Sequence, residues 1–292
     1  MNWLRFKLIY YLTSLTLIGI GLFSLINWGL KLGVDFTGGA ILEYRIEGEI
    51  STEDIAKNLE EKELEVSSIQ TFGENTYLFR FPPIGQEEKE KIQSVLQEAT
   101  DAEVTELRFE NVGPSIGPEL VKKTVYAIAI AAVAILFWVA IQFKSIKFGT
   151  SAILAMFHDS FILIGSFAFL GHFLGAEVDF LFVTALLTTL SFSVHDTIVV
   201  YDRIRESQRK IDGSLTELAN RAISETMVRS LNNSFTIIFM LVALILMGGT
   251  TIKWFAVALL IGTILGTYSS PFVAVPLLVT WDELAAKIRR KR

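Results

Sequence analysis

Apolar runs of about twenty residues alternate along the chain with short polar breaks. They fall near residues 8–29, 122–143, 148–172, 178–201, 232–250 and 252–279. About 20 apolar helical residues cross a bilayer core of roughly 30 Å, so the pattern predicts six transmembrane helices. One long polar stretch, residues 33–118, interrupts the series after the first run, and there the periodicity changes. Residues 40–46 and 103–109 read as strands. Residues 66–72 and 76–81 are β-rich runs flanking Gly73-Glu74-Asn75, a hairpin signal closed by Pro82-Pro83. Residues 51–63 read as a helix with Ser51 as N-cap. Residues 86–98 read as a second helix, with Ile92, Val95 and Leu96 as its apolar stripe. The order β-α-β-β-α-β is that of the ferredoxin-like motif.

The expected fold is therefore a polytopic α-helical membrane protein of six helices carrying one extracytoplasmic, ferredoxin-like α+β domain. Its expected divisions are a first transmembrane helix (1–32), the α+β domain (33–118), a five-helix bundle (119–281) and a basic tail (282–292). The N-terminal apolar run is too long for a signal peptide and no small-residue cleavage site follows it, so it reads as a retained helix. Within the bundle, residues 202–230 form a polar interlude. Ser214 and Glu217 make a capping box there. Leu215, Leu218, Ala219, Ala222, Ile223 and Met227 then recur at helical spacing, predicting an amphipathic helix on the inner membrane surface or against the bundle. In the last span Gly262, Gly266 and Ser270 form a small-residue seam for close helix contact, and Pro271 and Pro276 predict a kink.

Charge fixes the expected orientation. Residues 31–123 hold 10 of the 26 Lys+Arg and 20 of the 31 Asp+Glu, whereas the rest of the chain is net positive. Arg5 and Lys7 precede the first span, Lys144 and Lys147 separate the second and third, and six basic residues run from Arg203 to Arg229. Lys287, Arg289, Arg290, Lys291 and Arg292 close the chain. The opposite loops hold almost none, which places both termini in the cytoplasm. Hydrophobic residues make up 51% of the sequence and mean hydropathy is +0.47, so the lipid bilayer is the expected surrounding. No clustered basic face suited to nucleic acid is visible. The absence of Cys removes disulfides and thiolate metal sites.

The candidate chemistry lies in the apolar runs. Asp196 stands inside the fourth span with no nearby Lys or Arg, and an ionisable group at that depth is costly enough to mark an ion or proton path. Two polar stripes accompany it, one of Thr184, Thr188, Ser191 and His195 and one of Thr189, Ser193 and Asp196. Both are expected to face away from lipid. Burial disfavours the charged form of a carboxyl, so Asp196 is read as loading and releasing a proton as hydration changes. The third span carries a second pair, His158-Asp159, at a depth where the two pairs could meet. Each His is either a second titrating group or a hydrogen-bonding residue. Two His and two Asp could also ligate a metal, although the spacing matches no usual metal motif. Arg229 opens the fifth span, where spacing alone makes it a positive-inside anchor. The sequence turns sharply polar at Asp202, Arg203, Arg205 and Glu206, as a helix does on leaving a bilayer.

Four motifs, in order, resemble those of the SecF family. They are Gly33-Val34-Asp35-Phe36-Thr37-Gly38-Gly39 after the first span and Val112-Gly113-Pro114-Ser115-Ile116-Gly117 before the second. The others are His158-Asp159 in the third and the run from Asp196 to Glu206 in the fourth. The resemblance covers nearly the whole chain. It implies one half of an RND-superfamily unit in the bacterial cytoplasmic membrane, paired with a homologous SecD half. It also implies work beside the SecYEG channel on exported preproteins, with protons as the coupling ion and no other cofactor. The family's proton-carrying Asp falls on Asp196, and Arg229 looks like the Arg thought to assist it. Where the family has Asn before that Asp, this chain has His195, so Asp196 acts either alone or as a coupled pair with it. The segment holding Asp35, Gly38 and Gly39 looks like a structural hinge. The expected function is thus an accessory subunit of protein export driven by the proton gradient. Three alternatives were weighed: a proton-coupled exporter of lipids or small molecules, an intramembrane hydrolase using Asp159 and Asp196, and a pure assembly scaffold.

Overall fold

The computed structural model describes residues 1–47, 51–72, 75–100, 102–113, 116–143 and 145–290. The expected Gly73-Glu74 turn, Pro114 and the last two residues of the basic tail lie outside them. Two compact units emerge: Leu32–Tyr126, and Met1–Lys31 with Ala127–Arg292.

The smaller unit begins with a short helix α2 (Val34–Thr37), after the first long helix α1 (Lys7–Asn27). It continues β1 (Gly39–Ile46), α3 (Thr52–Glu61), β2 (Ser68–Phe72), β3 (Thr76–Phe81), α4 (Gln86–Thr100) and β4 (Val104–Val112). All strand pairs are antiparallel in the order β2-β3-β1-β4, with Leu42 opposite Phe79 and Phe109. That is the ferredoxin-like arrangement the alternation predicts. The centre strand β1 turns Ala40, Leu42, Tyr44 and Ile46 toward α3 and α4, where Ile55, Leu59, Ile92, Val95 and Leu96 complete the core. Ile41 meets Val34 and Leu78 on the other face. Ser51 caps α3 through the Glu53 amide.

Two motifs far apart in sequence meet inside this unit. A side chain at Gly117 would collide with the Phe36 carbonyl at 2.7 Å and the Gly38 amide at 3.1 Å. Gly38 and Gly39 both have positive φ, 76° and 123°, and a Cβ on Gly39 would lie 2.9 Å from the Phe81 carbonyl. Glycine is required at these positions by backbone shape and by close approach. The segment read as a hinge is a tight α2-to-β1 turn with a second backbone laid against it.

The membrane unit consists of α1, the part of α5 (Ile116–Phe143) from Ala127 onward, α6 (Ile146–Leu174), α7 (Phe180–Lys210), α8 (Leu215–Met247), α9 (Thr250–Ser269) and α10 (Val275–Arg290). Among the described residues, six helical segments are long and apolar enough to span a bilayer, with α9 and α10 sharing the last. The core lies among α6, α7, the first turns of α8, the Ser270–Ala274 turn and α10. Phe148 on α6 meets Tyr201 on α7 edge-on at 5.1 Å, and Val194, Ile204, Ala274 and Leu278 fill around them. By contrast α5 and α8 leave Ile130, Phe137, Phe239 and Met247 exposed.

Two expectations take a specific form here. The amphipathic helix is not a separate surface element. Ser214 and Glu217 do form a capping box, but α8 then runs unbroken from Leu215 to Met247, with Leu218, Ala219, Ala222 and Ile223 buried against the bundle. Nothing between residues 228 and 231 breaks a helix, so the polar stretch changes the surroundings and not the backbone. The proline kink also has a specific form: Ser270–Ala274 is one turn of π-helix. Proline removes a backbone donor, and a π-turn accommodates the loss.

Candidate functional site

The small-residue seam of α9 brings it against α7. Side chains at Gly262 would collide with Thr189, and one at Gly266 would lie 3.3 Å from the Ser193 Cα. This approach carries Ser269 and Ser270, at the start of the π-turn, into reach of α6 and α7.

Asp159 stands at the centre and is 1% exposed. Its Oδ2 accepts hydrogen bonds from Ser193 Oγ on α7 at 2.6 Å and from Ser269 Oγ at 2.5 Å. Its Oδ1 lies 2.8 Å from His158 Nδ1. Next to it Thr197 Oγ1 donates to the Ser193 carbonyl at 3.0 Å and lies 3.1 Å from Ser270 Oγ. One turn further along α7, the Tyr201 hydroxyl contacts Ser151 Oγ at 2.7 Å and the Ala274 carbonyl at 2.8 Å. Three helices and the π-turn are thus joined by hydroxyls around one carboxyl.

Asp196 is also buried, but its surroundings differ. Among the described residues its one hydrogen-bond donor is Ser230 Oγ of α8, at 2.5 Å. Arg229, beside that serine, is exposed and is an electrostatic neighbour of Asp196 without an ion pair to it. His195 does not share the burial of Asp196. Successive helical residues point about 100° apart, and His195 opens onto a cavity of about 340 Å³ lined by Ala134, Ile135, Trp138, Ser191, Val194 and Ile198. The two polar stripes therefore part company. Thr189, Ser193 and Asp196 are buried, whereas Thr184, Thr188, Ser191 and His195 are exposed.

The two Asp-centred groups do not join. Each carboxyl takes its own serines, and no hydrogen bond links Asp159 to Asp196 among the described residues. No three His, Cys, Asp or Glu side chains converge there either. Sequence reading missed Ser269 and Ser230 as partners of the two carboxyls. The available signal was adjacent hydroxyls next to Pro271, and a serine at the lip of an apolar run.

At the polar end of α7, Arg203 donates to Glu206 at 2.6 Å and also pairs with Glu225 of α8. Arg221 holds Glu225 from the other side at 2.8 Å. Arg205 lies 3.6 Å from Asp202 and donates to the Gln142 carbonyl at 3.2 Å. This motif ties α7 to the start of α8 and to the end of α5.

Residues 91–284 match the family described as Protein export membrane protein SecD/SecF, C-terminal, and residues 23–49 match the SecD/SecF GG Motif. The chain belongs to the SecF branch of the SecD/SecF family. It is 41% identical to the protein translocase subunit SecF of Thermobaculum terrenum, over 95% of this chain and 93% of that one. The corresponding subunit of Anaerolinea thermophila is 36% identical over 97% and 94%. A crystal structure of SecDF from Thermus thermophilus, titled a translocon-associated membrane protein, superposes with a TM-score of 0.85 at 32% identity. It covers 97% of this chain, which spans 39% of that longer protein. The family match makes the chain a multi-pass membrane protein of the translocase-subunit class. The GG-motif match falls on the turn at Gly38 and Gly39, and the longer match contains both carboxyl groups.

Proposed function

We propose that this chain is a proton-coupled accessory subunit of protein export, acting with a SecD half beside the SecYEG channel to promote late steps in the passage of preproteins. The observation that carries the reading is Asp196: a carboxyl inside a membrane helix, enclosed on the α8 side, with one hydroxyl as its hydrogen-bonding support. Such a group changes its preferred protonation when water reaches it, and a change of charge at this depth repacks the helices that hold it. In this reading Arg229 assists release of the proton by bringing a positive charge toward the carboxylate. His195 takes a different part. It belongs with Thr184, Thr188 and Ser191 to the exposed polar stripe of α7, a surface suited to the homologous half. The fused SecDF protein has that half in the same chain. The distribution of Lys and Arg among the short loops supports cytoplasmic termini and an extracytoplasmic α+β unit.

The test uses inverted membrane vesicles containing the SecD half and the channel. A secretory protein is stalled late in passage, a proton gradient is imposed, and completion is compared for the native chain and Asp196→Asn. The expected result is that Asn removes the gradient-dependent increment while the complex still assembles. Completion equal to the native chain would falsify proton coupling at Asp196.

A further inference from the structure

In the membrane unit, two buried side-chain polar atoms have no hydrogen-bond partner among the described residues: Ser14 Oγ on α1 and His158 Nε2 on α6. Their residues are 6% and 8% exposed. Buried polar groups are nearly always satisfied, so each such atom calls for an explanation. The register of the two helices supplies one. A Cβ at Gly21 would sit 3.2 Å from the Gly165 Cα. Seven residues on, Trp28 stacks on His172 with centroids 4.3 Å apart and planes 2° from parallel. The helices thus run side by side in the same direction, in step. Seven residues back from Gly21 and Gly165 lie Ser14 and His158, two turns away on the same faces. Between the levels, Leu17 and Ile162 line one cavity together with Gly21 and Gly165. The two orphan atoms stand at one level of one helix–helix contact.

His158 Nδ1 lies 2.8 Å from Asp159 Oδ1, and in the tautomer that donates from Nδ1 to this oxygen the neutral ring carries a bare lone pair on Nε2. At the same level of the α1–α6 contact, Ser14 carries a hydroxyl that can both donate and accept. We propose that Ser14 and His158 bind a bridging water between α1 and α6, and that His158 Nε2 takes a proton from this water into the Asp159 network. A proton arriving on the water moves to the Nε2 lone pair. Neutral water remains, and the imidazolium keeps its Nδ1–H on Asp159. The proton-entry role rests on the proton-coupled reading above, whereas the water site does not.

Among the described residues, the other ionisable groups on the neighbouring helices have partners or surroundings of their own. On α1, Tyr10 donates to the Trp3 carbonyl and Tyr11 is bonded to Thr280. On α7, Tyr201 is held by Ser151 and Ala274, Asp196 takes Ser230, and His195 opens onto its own cavity. On α9, Tyr268 donates to the Tyr10 carbonyl. On α10, Asp282 and Glu283 pair with Lys147 and Lys7.

The experiment is solid-state NMR of the full chain with its SecD half in lipid bilayers, with ¹⁵N-labelled histidine. His158 is assigned by the signal lost in His158→Gln. We expect a cross-peak between Nε2 and water protons, and a change of Nε2 from acceptor-type to protonated-type shift as pH falls. Ser14→Ala should lose the water cross-peak and keep the Nδ1 signal on Asp159, and Ser14→Thr, which restores a hydroxyl, should regain it. Should Nε2 show no water contact in the native chain, or the same contact in Ser14→Ala, the site is overturned. A water contact with no change of Nε2 shift across the pH range overturns proton entry. Export measured for Asp196→Asn in the same membranes separates the two ideas, because a failure of proton coupling at Asp196 leaves the Ser14–His158 signal in place.

Discussion

Asp159 and Asp196 are the same residue type on neighbouring membrane helices, both buried, and they are built for opposite tasks. Asp159 meets two serine hydroxyls and a histidine ring, contributed by α6, α7 and the entrance of the π-turn. Asp196 meets one serine, at the edge of the bundle, with an exposed arginine next door. A carboxylate with three donors is held in place by groups that would all be stranded if it were neutralised or moved. One with a single hydroxyl partner loses little by changing state. The contrast explains why a membrane protein keeps two acidic groups at such cost. Asp159 organises the contact of three helices, and Asp196 is left with the single partner that its proposed proton-carrying role requires.

The largest way to break this contrast is to remove the approach that creates it. Gly262→Leu would drive a side chain into Thr189 and push α9 away from α7, drawing Ser269 from Asp159. Overpacking of a close contact costs up to about 3 kcal/mol. Denaturant titration in mild detergent, followed by tryptophan fluorescence, should show that loss. An unchanged midpoint would mean that the helix seam does not set the Asp159 geometry. Next comes the contrast itself. Asp159→Ala is expected to cost roughly 2 kcal/mol and Asp196→Ala nearer 0.6 kcal/mol, on a scale of about 0.6 kcal/mol for each membrane hydrogen bond. Equal costs in the same titration would erase the distinction.

Much of this was legible from residue order, and the exceptions are physical. The six spans follow from the length of the apolar runs, and the α+β order from two periodicities, 3.6 and 2, that single residues rarely disturb. The burial of Asp196 was legible because an ionisable group in an apolar run is costly unless it faces the protein interior. The exposure of His195 was not legible because successive residues point about 100° apart around a helix, and only the position of α5 and α7 shows that it opens onto a separate cavity. Ser269 and Ser230 were invisible as partners because a serine in a membrane helix ordinarily bonds back to its own helix, as Ser160 and Ser166 do here. Which serine turns outward is decided by helix approach, and that depends on Gly262 and Gly266 from another part of the chain. The continuity of α8 was hidden for a similar reason, since polarity marks where water begins and not where a helix ends.

The smallest expected effect sharpens the comparison most. Ser230→Ala removes the single hydroxyl on Asp196, and Ser269→Ala removes one of three donors on Asp159. Each deletes one hydrogen bond of about 0.6 kcal/mol, so by stability alone they should be indistinguishable. Gradient-driven completion of a stalled secretory protein should separate them. Asp196 without Ser230 has lost its whole hydrogen-bonding support, and the protonation-dependent repacking that rests on it should weaken. Asp159 without Ser269 still has Ser193 and His158, and export should stay close to native. If Ser269→Ala impairs gradient-driven export while Ser230→Ala is silent, the assignment of tasks to the two carboxyls is reversed, and the three-donor group is the one that moves.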